Sequence, residues 1–323
     1  MPPKLTFAIS LCVGLAFTMS GDLLNSAEQR ATQSTSAQKK PPATNPQAKP
    51  TTTKAQNSKP ADQERLIARA REKLASYRTI QADVLETMAI GSRQFKATGR
   101  YIQGPNDKLR IEFSIQIGKD TRGSLVQVCD GQLLWTRWNL GKNSRISRRD
   151  VQEIRRTIAQ QQPSVLDSRL LADLGLGGVK ALMGALEKSM DFAAARKMDI
   201  DGKAFYVVVG TWNQETLRAF GGDPSQGEVT LPEHIPDSVR VYLQQDNLFP
   251  RRIMYLKKHP EKSLVRPLVT LDFVRIKLNP PLDEAEFDFE PPDDIPQVDD
   301  TKKFLERLLT PPSVPKAAAP APN

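Results

Sequence analysis

Few residues in this 323-residue chain are of the types and spacing that carry chemistry. His234 in LPEHIP and His259 in KKHPEK both sit beside proline, and neither has a cysteine or second histidine at metal-ligand spacing. No metal site is expected, and no cofactor. The chain has no nucleophile elbow of the G-x-S-x-G type, no phosphate-binding G-x-x-x-x-G-K-[ST] loop and no G-x-G-x-x-G after a strand. Asp199-Ile-Asp201-Gly202 begins like a calcium loop but lacks the later ligands, and it reads as a hairpin turn. Nine carboxylates between Asp283 and Asp300, with no basic residue among them, could do paired acid and base work. Interleaved with proline, they read instead as a solvated acidic face. The opposite cluster is Arg137, Lys142, Arg145, Arg148, Arg149, Arg155 and Arg156 against Asp150 and Glu153. The two clusters are complementary, to each other or to a docking partner. No catalytic residue is assigned, and the chain is read as a non-enzyme.

The elements that position these residues are mostly strands. Lys108 to Gly118 alternates Leu109, Ile111, Phe113, Ile115 and Ile117 against polar neighbours, a strand with one wet face. Similar strands are expected over 80–90, 94–102, 124–129, 133–138, 192–199, 204–212, 239–245, 252–257 and 268–278. Asp130-Gly131 and Asp201-Gly202 mark hairpin turns, whose residues tolerate positive φ. In the last strand the apolar parity switches between Phe273 and Val274, which predicts a bulge or strong bend. A helix opens the unit, with Asp62 as its cap and Leu66, Ala70, Leu74 and Tyr77 on one face. The strands are interrupted between 148 and 190 by three predicted helices, Arg148–Gln160, Val165–Leu174 and Val179–Met190. The last carries Val179, Leu182, Met183, Leu186 and Met190 as one apolar stripe. Trp135 and Trp138 fall on opposite faces of a strand, and Cys129 reads as a small buried hydrophobe.

Composition bounds the rest. The net charge of +9 is concentrated at the N-terminal side, where residues 28–60 hold Arg30, Lys39, Lys40, Lys49, Lys54 and Lys59 against Glu28. Residues 61–309 carry only +3, too little bias for a nucleic-acid domain. Residues 5–19 form an apolar stretch after Lys4, followed by small and polar residues, and residues 1–27 read as a secretory signal peptide. Export to the periplasm follows, and the mature chain then keeps Cys129 alone. Residues 28–60 contain no large apolar residue and read as a disordered basic Pro/Thr/Lys/Gln linker. The folded unit is expected over 61–309, and 310–323 is a disordered Pro/Ala tail.

The segment VQVCDGQLLWTRWN (Val126 to Asn139) resembles the "V-S-D-G-K-x-L-W-x-Y" hairpin of the LolA-like family of periplasmic outer-membrane lipoprotein carriers. Gly99-Arg100-Tyr101, Pro105 and Leu109-Arg110-Ile111-Glu112 are similar to its "G-x-L … P … L-R-x-E" strands. Asp246, Phe249-Pro250-Arg251-Arg252-Ile253, Leu278-Asn279 and Phe287-Asp288-Phe289-Glu290-Pro291-Pro292 are similar to its "D … P-x-x-I … N … F-x-F-x-P" ending. The resemblance implies an α+β fold, a curved antiparallel β half-barrel with an N-terminal helix and a helical lid insertion. It also implies an apolar trough that holds acyl chains. The chain departs from the family at Gly104, where the carriers bear an arginine before the proline of their "R-P" turn.

These readings converge on a monomeric periplasmic carrier or chaperone, binding the acyl chains of a lipoprotein or lipid without catalysis. Its basic segments would dock to membrane surfaces, and nucleic acid is excluded as a partner. The expected lining is Leu109, Ile111, Phe113, Trp135, Phe205 and Val207 from the strands, with Leu182, Met183 and Leu186 from the lid. The alternative is a regulatory or protein-interaction module of the same fold that senses envelope lipoproteins, working through the basic 137–156 segment.

Overall fold

The computed structural model describes residues 65–90, 93–161, 178–220, 222, 225, 227, 229–259 and 262–309. The signal-peptide, linker and tail assignments, the Asp62 cap and the expected helix Val165–Leu174 lie outside them.

Helix α1 (Leu66–Ala75) leads into β1 (Ile80–Ile90), β2 (Arg93–Gln103), β3 (Leu109–Ile117), β4 (Thr121–Cys129), β5 (Leu133–Leu140) and β6 (Asn143–Asp150). Helices α2 (Val151–Gln161) and α3 (Gly178–Ser189) follow. The chain continues through β7 (Met190–Phe192), β8 (Arg196–Ile200), β9 (Lys203–Trp212), the short α4 (Gln214–Ala219), β10 (Ser238–Gln244), β11 (Pro250–His259) and β12 (Lys262–Leu278). A 3-10 turn (Glu284–Phe287), β13 (Gln297–Asp299) and α5 (Thr301–Leu309) end it.

All the strands join one curved, open sheet in the order β13-β6-β5-β4-β3-β2-β1-β12-β11-β10-β9-β7, with β8 also pairing β9. Every ladder is antiparallel except β13 on β6. The two halves of the chain meet at β1 and β12, so the first and last long strands lie side by side. This is the expected α+β half-barrel, opened by a helix and interrupted by a helical insertion.

The parity switch in the last strand is a bulge. Val274 pairs Asp83 and Lys277 pairs Gln81, leaving one extra residue on β12, and Arg275 there takes φ +49°. The extra residue tightens the local twist and lets Ile276 and Leu278 pack on the same core as Phe273. At the β8–β9 turn Asp201 and Gly202 have φ +54° and +72°, as a two-residue hairpin demands.

Three expectations need correction. Asn143–Asp150 forms β6, where no strand was expected, because its single apolar side chain, Ile146, leaves no alternation to read. The charged helix accordingly starts at Val151, not Arg148, and Asp150 caps it by accepting a hydrogen bond from the Glu153 N–H at 2.7 Å. The expected strand over 192–199 is two short ones, β7 and β8, on the same edge of β9.

Candidate ligand trough and its lid

Directly paired residues of an antiparallel ladder share a face, so register assigns every strand residue to one side of the sheet. Following it across yields an inner face of Val208, Gly210 and Trp212 on β9, Val239, Val241 and Leu243 on β10, and Ile253 and Tyr255 on β11. It continues through Val269, Leu271 and Phe273 on β12, Val84 and Met88 on β1, Ala97 and Tyr101 on β2, and Leu109, Ile111 and Phe113 on β3. Leu125 and Cys129 on β4 and Leu134 and Trp138 on β5 complete it. These side chains and those of α1, α2, α3 and α5 form one hydrophobic cluster.

Helix α3 occupies this face with Val179, Leu182, Met183, Leu186 and Met190 at the end of its stripe, all buried. Among the described residues, polar contacts hold it at both ends. The Val179 N–H donates to the Tyr101 hydroxyl at 3.1 Å, and that hydroxyl donates to Gln103 Oε1. Burial pushes the Tyr101 phenol well above its ordinary range, so it keeps its proton for Gln103. Gly178, with φ +55°, starts the helix here because a Cβ would overlap the Tyr101 hydroxyl. At the other end Arg71 of α1 pairs with Glu187 at 2.6 Å, and Asn213 Nδ2 donates to the Lys188 carbonyl at 2.8 Å.

Six of the nine expected lining residues therefore meet in one place: Leu109, Ile111, Phe113, Leu182, Met183 and Leu186. Trp135, Phe205 and Val207 do not. Trp135 pairs Val128 and lies on the outer face, its ring 5.7 Å from that of Phe289, while Trp138 packs on the core. Phe205 and Val207 pair Gln244 and Tyr242 on the outer face, where both are buried. The segment KAFYVVVGTW is apolar at both parities, so alternation cannot choose; only the register with Val239, Val241 and Leu243 does.

The acidic segment lies over the outer face of β2, β3 and β5 and pairs with basic residues of this same chain. Glu284 meets Lys108, Glu286 meets Arg100 at 2.7 Å, and Arg110 donates to the Glu286 and Asp288 carbonyls. Asp299 pairs with Arg148 and Asp300 with Arg145, each at 3.2 Å, as β13 adds to the edge strand β6. Phe287 is the strap's apolar anchor, and a Cβ on Gly104 would stand 2.8 Å from its ring. Gly104, just before Pro105, thus makes room for the strap. Arg155 of the basic cluster pairs with Asp107, and Arg149 stacks 5.1 Å over the Phe304 ring.

Cys129 is buried on the inner face, and loss of hydration pushes its thiol up to about 12. Among the described residues no three His, Cys, Asp or Glu side chains gather to hold a metal, and no helix is long and apolar enough to cross a membrane.

No protein-family model matches the chain, and no curated protein does. Solved structures do. LprF from Mycobacterium bovis matches with a TM-score of 0.36 at 10% identity, over 69% of this chain and 95% of that one. A MucA/MucB complex from Pseudomonas aeruginosa matches with a TM-score of 0.34 at 12% identity, over 71% of this chain and 61% of that one. A LolA superfamily protein from Nitrosomonas europaea matches with a TM-score of 0.28 at 12% identity, over 70% of this chain and 97% of that one. The family that the sequence motifs resemble is thus among the matches, while the architecture itself rests on the strand order and register above.

Proposed function

We propose that this protein is a non-catalytic carrier of the periplasm, exported by its signal peptide, which holds the acyl chains of a lipoprotein or lipid against the inner face. One observation carries this reading. A continuous apolar face is covered by a discrete helix, α3, whose apolar stripe occupies the place a lipid chain would take. Each methylene transferred from water to such a face contributes about 0.8 kcal/mol, without directional chemistry. An entering chain would replace the contacts of Leu182, Met183 and Leu186, and methionine's flexible thioether suits chains of different shape. Exchange requires α3 to lift, and the entering chain must cover the apolar surface that its stripe leaves.

The interaction-module alternative relied on the basic 137–156 segment. Arg145, Arg148, Arg149 and Arg155 are engaged within the chain by Asp300, Asp299, Phe304 and Asp107, which favours the carrier.

The test is native mass spectrometry with lipid extraction on protein purified from a periplasmic host without detergent, alongside titration with a fluorescent acyl probe. A co-purifying acyl species, or saturable probe uptake that is faster in Tyr101→Phe, is expected. A clean apo mass together with no probe uptake by folded protein overturns the carrier reading and returns weight to the interaction module.

A further inference from the structure

The two ends of the sheet differ in cover and in charge. Register puts the β1–β2, β3–β4, β5–β6 and β11–β12 turns at one end: Ile117 pairs Phe95 and Thr121, Gly123 pairs Leu140, and Met88 pairs Phe95 and Val269. The β2–β3, β4–β5, β8–β9 and β10–β11 turns lie at the other. The inner face is sealed toward the second end and opens toward the first. Along β3, Leu109, Ile111 and Phe113 are at most 3% exposed, whereas Ile115 and Ile117 are only half-buried, as is Phe95 opposite them. Charge follows the same axis. Among the described side chains, the exposed charges near the open-end turns are Lys96, Lys119, Arg122, Lys142 and Lys258 against Asp120, and Glu233 beside them is met by Arg266 at 2.8 Å. Near the closed-end turns they are Asp130, Asp199, Asp201 and Asp246 against Lys203. The open end also carries Leu264 and Val265 on β12, 65% and 48% exposed. Successive strand residues point to opposite faces, so with both bare this hairpin projects beyond the covers of either face.

We infer that this open end is a docking surface for an anionic lipid bilayer, with Leu264 and Val265 entering the interface and the basic rim lying on the headgroups. Its use in loading rests on the carrier reading; the docking itself does not. A bilayer fits better than an acidic protein, because two projecting apolar side chains demand a matching pocket in a protein and none in lipid. Lysine and arginine near anionic headgroups are attracted over about one Debye length, and the acidic far end is repelled. The two effects together turn the open end toward the membrane. An acyl chain leaving the bilayer then reaches Phe95, Ile115 and Ile117 without crossing water.

The test is binding of the full mature chain to vesicles of phosphatidylcholine alone and of phosphatidylcholine mixed with phosphatidylglycerol. The basic 28–60 segment is present in every variant, so differences between variants report the folded unit. Wild type is expected to prefer the phosphatidylglycerol vesicles. Lys119→Gln and Arg122→Gln should each weaken that binding about fivefold at low salt and have little effect at high salt. Leu264→Ser with Val265→Ser should weaken it about tenfold at either salt. Lys203→Gln, the same charge change at the closed end, should leave it unaltered. All these positions are exposed, so the Tm should hold throughout. Absence of vesicle binding by wild type, or equal losses from Lys203→Gln and Lys119→Gln, overturns the docking surface and leaves the carrier reading to its own probe titration. Vesicle binding indifferent to the rim, with capture of polyglutamate lost in Lys119→Gln instead, assigns the surface to an acidic protein and also overturns it. Rim-dependent vesicle binding without acyl-probe uptake in solution overturns the carrier and keeps the docking surface.

Discussion

The two faces of the sheet are built from the same strands at alternate positions and are sealed by different physics. On the inner face helices α1, α2, α3 and α5 cover an almost wholly apolar surface mainly by packing. On the outer face the C-terminal strap is fastened by ion pairs around two rings, the buried Phe287 at Gly104 and the half-buried Phe289 at Trp135. The difference teaches which cover is made to move. Apolar packing has no preferred partner, so under the proposed function α3 is the cover that a lipid chain would replace. Ion pairs have geometric partners, so the strap is suited to stay and to brace the edge strand β6.

That contrast can be broken most forcefully on the inner side. Phe113→Ala, on the helix-covered face, should lower stability by about 3–5 kcal/mol in urea unfolding, whereas a loss under 1 kcal/mol would show that face to be loosely packed. Gly104→Ala on the outer side should cost about 1–3 kcal/mol by overpacking Phe287. It should also expose the 288–296 segment to protease while leaving acyl-probe uptake unchanged, and reduced uptake would mean the two covers are coupled.

Loosening the lid is a smaller change. Tyr101→Phe removes the acceptor for the Val179 N–H and should cost about 1–2 kcal/mol, with faster exchange of the α3 amides than of the α5 amides. Equal effects on both helices would erase the proposed asymmetry. Removing one strap ion pair, by Arg100→Ala, should cost about 0.5–1 kcal/mol and fade in high salt, since both partners are partly exposed.

A pH scan sharpens the same point. Hydrogen bonds from Thr301, by side chain and backbone N–H, and then the Arg148 guanidinium hold the Asp299 carboxyl below its ordinary value of 3.8. Its folded pKa is depressed, so its stabilisation is fully present above that value and is lost as pH falls through the folded value. The N-terminus of α5 should therefore loosen in acid before α3 does, in hydrogen exchange followed against pH. Asp299→Asn should abolish that difference.

Much of the fold is legible in the residues. The alternation from Leu109 to Ile117, the Asp201-Gly202 turn, the stripe on α3 and the parity switch at Phe273 and Val274 each specify a local shape that the structure contains. What escaped is equally specific. β6 has one apolar residue and owes its place to ladders with β5 and β13. In the candidate site, β9 is apolar at both parities, and Trp135 and Trp138 are chemically alike, so which ring faces the lid depends on a register that no single strand contains.

Local periodicity, turn chemistry and capping act over a few residues, and they are written into the chain directly: strand, turn, helix and bulge. Face and partner are long-range. They are decided by the ladders: the register of β9 on β10 settles whether Val208 or Val207 looks inward, and the two halves are joined when β12 pairs with β1. The same pairing brings Tyr255 and Glu86, far apart in sequence, onto one buried surface, and carries the acidic segment back to the arginines of β2, β3 and β6. Charge alone makes those two clusters complementary, and only the tertiary fold brings them together within one molecule.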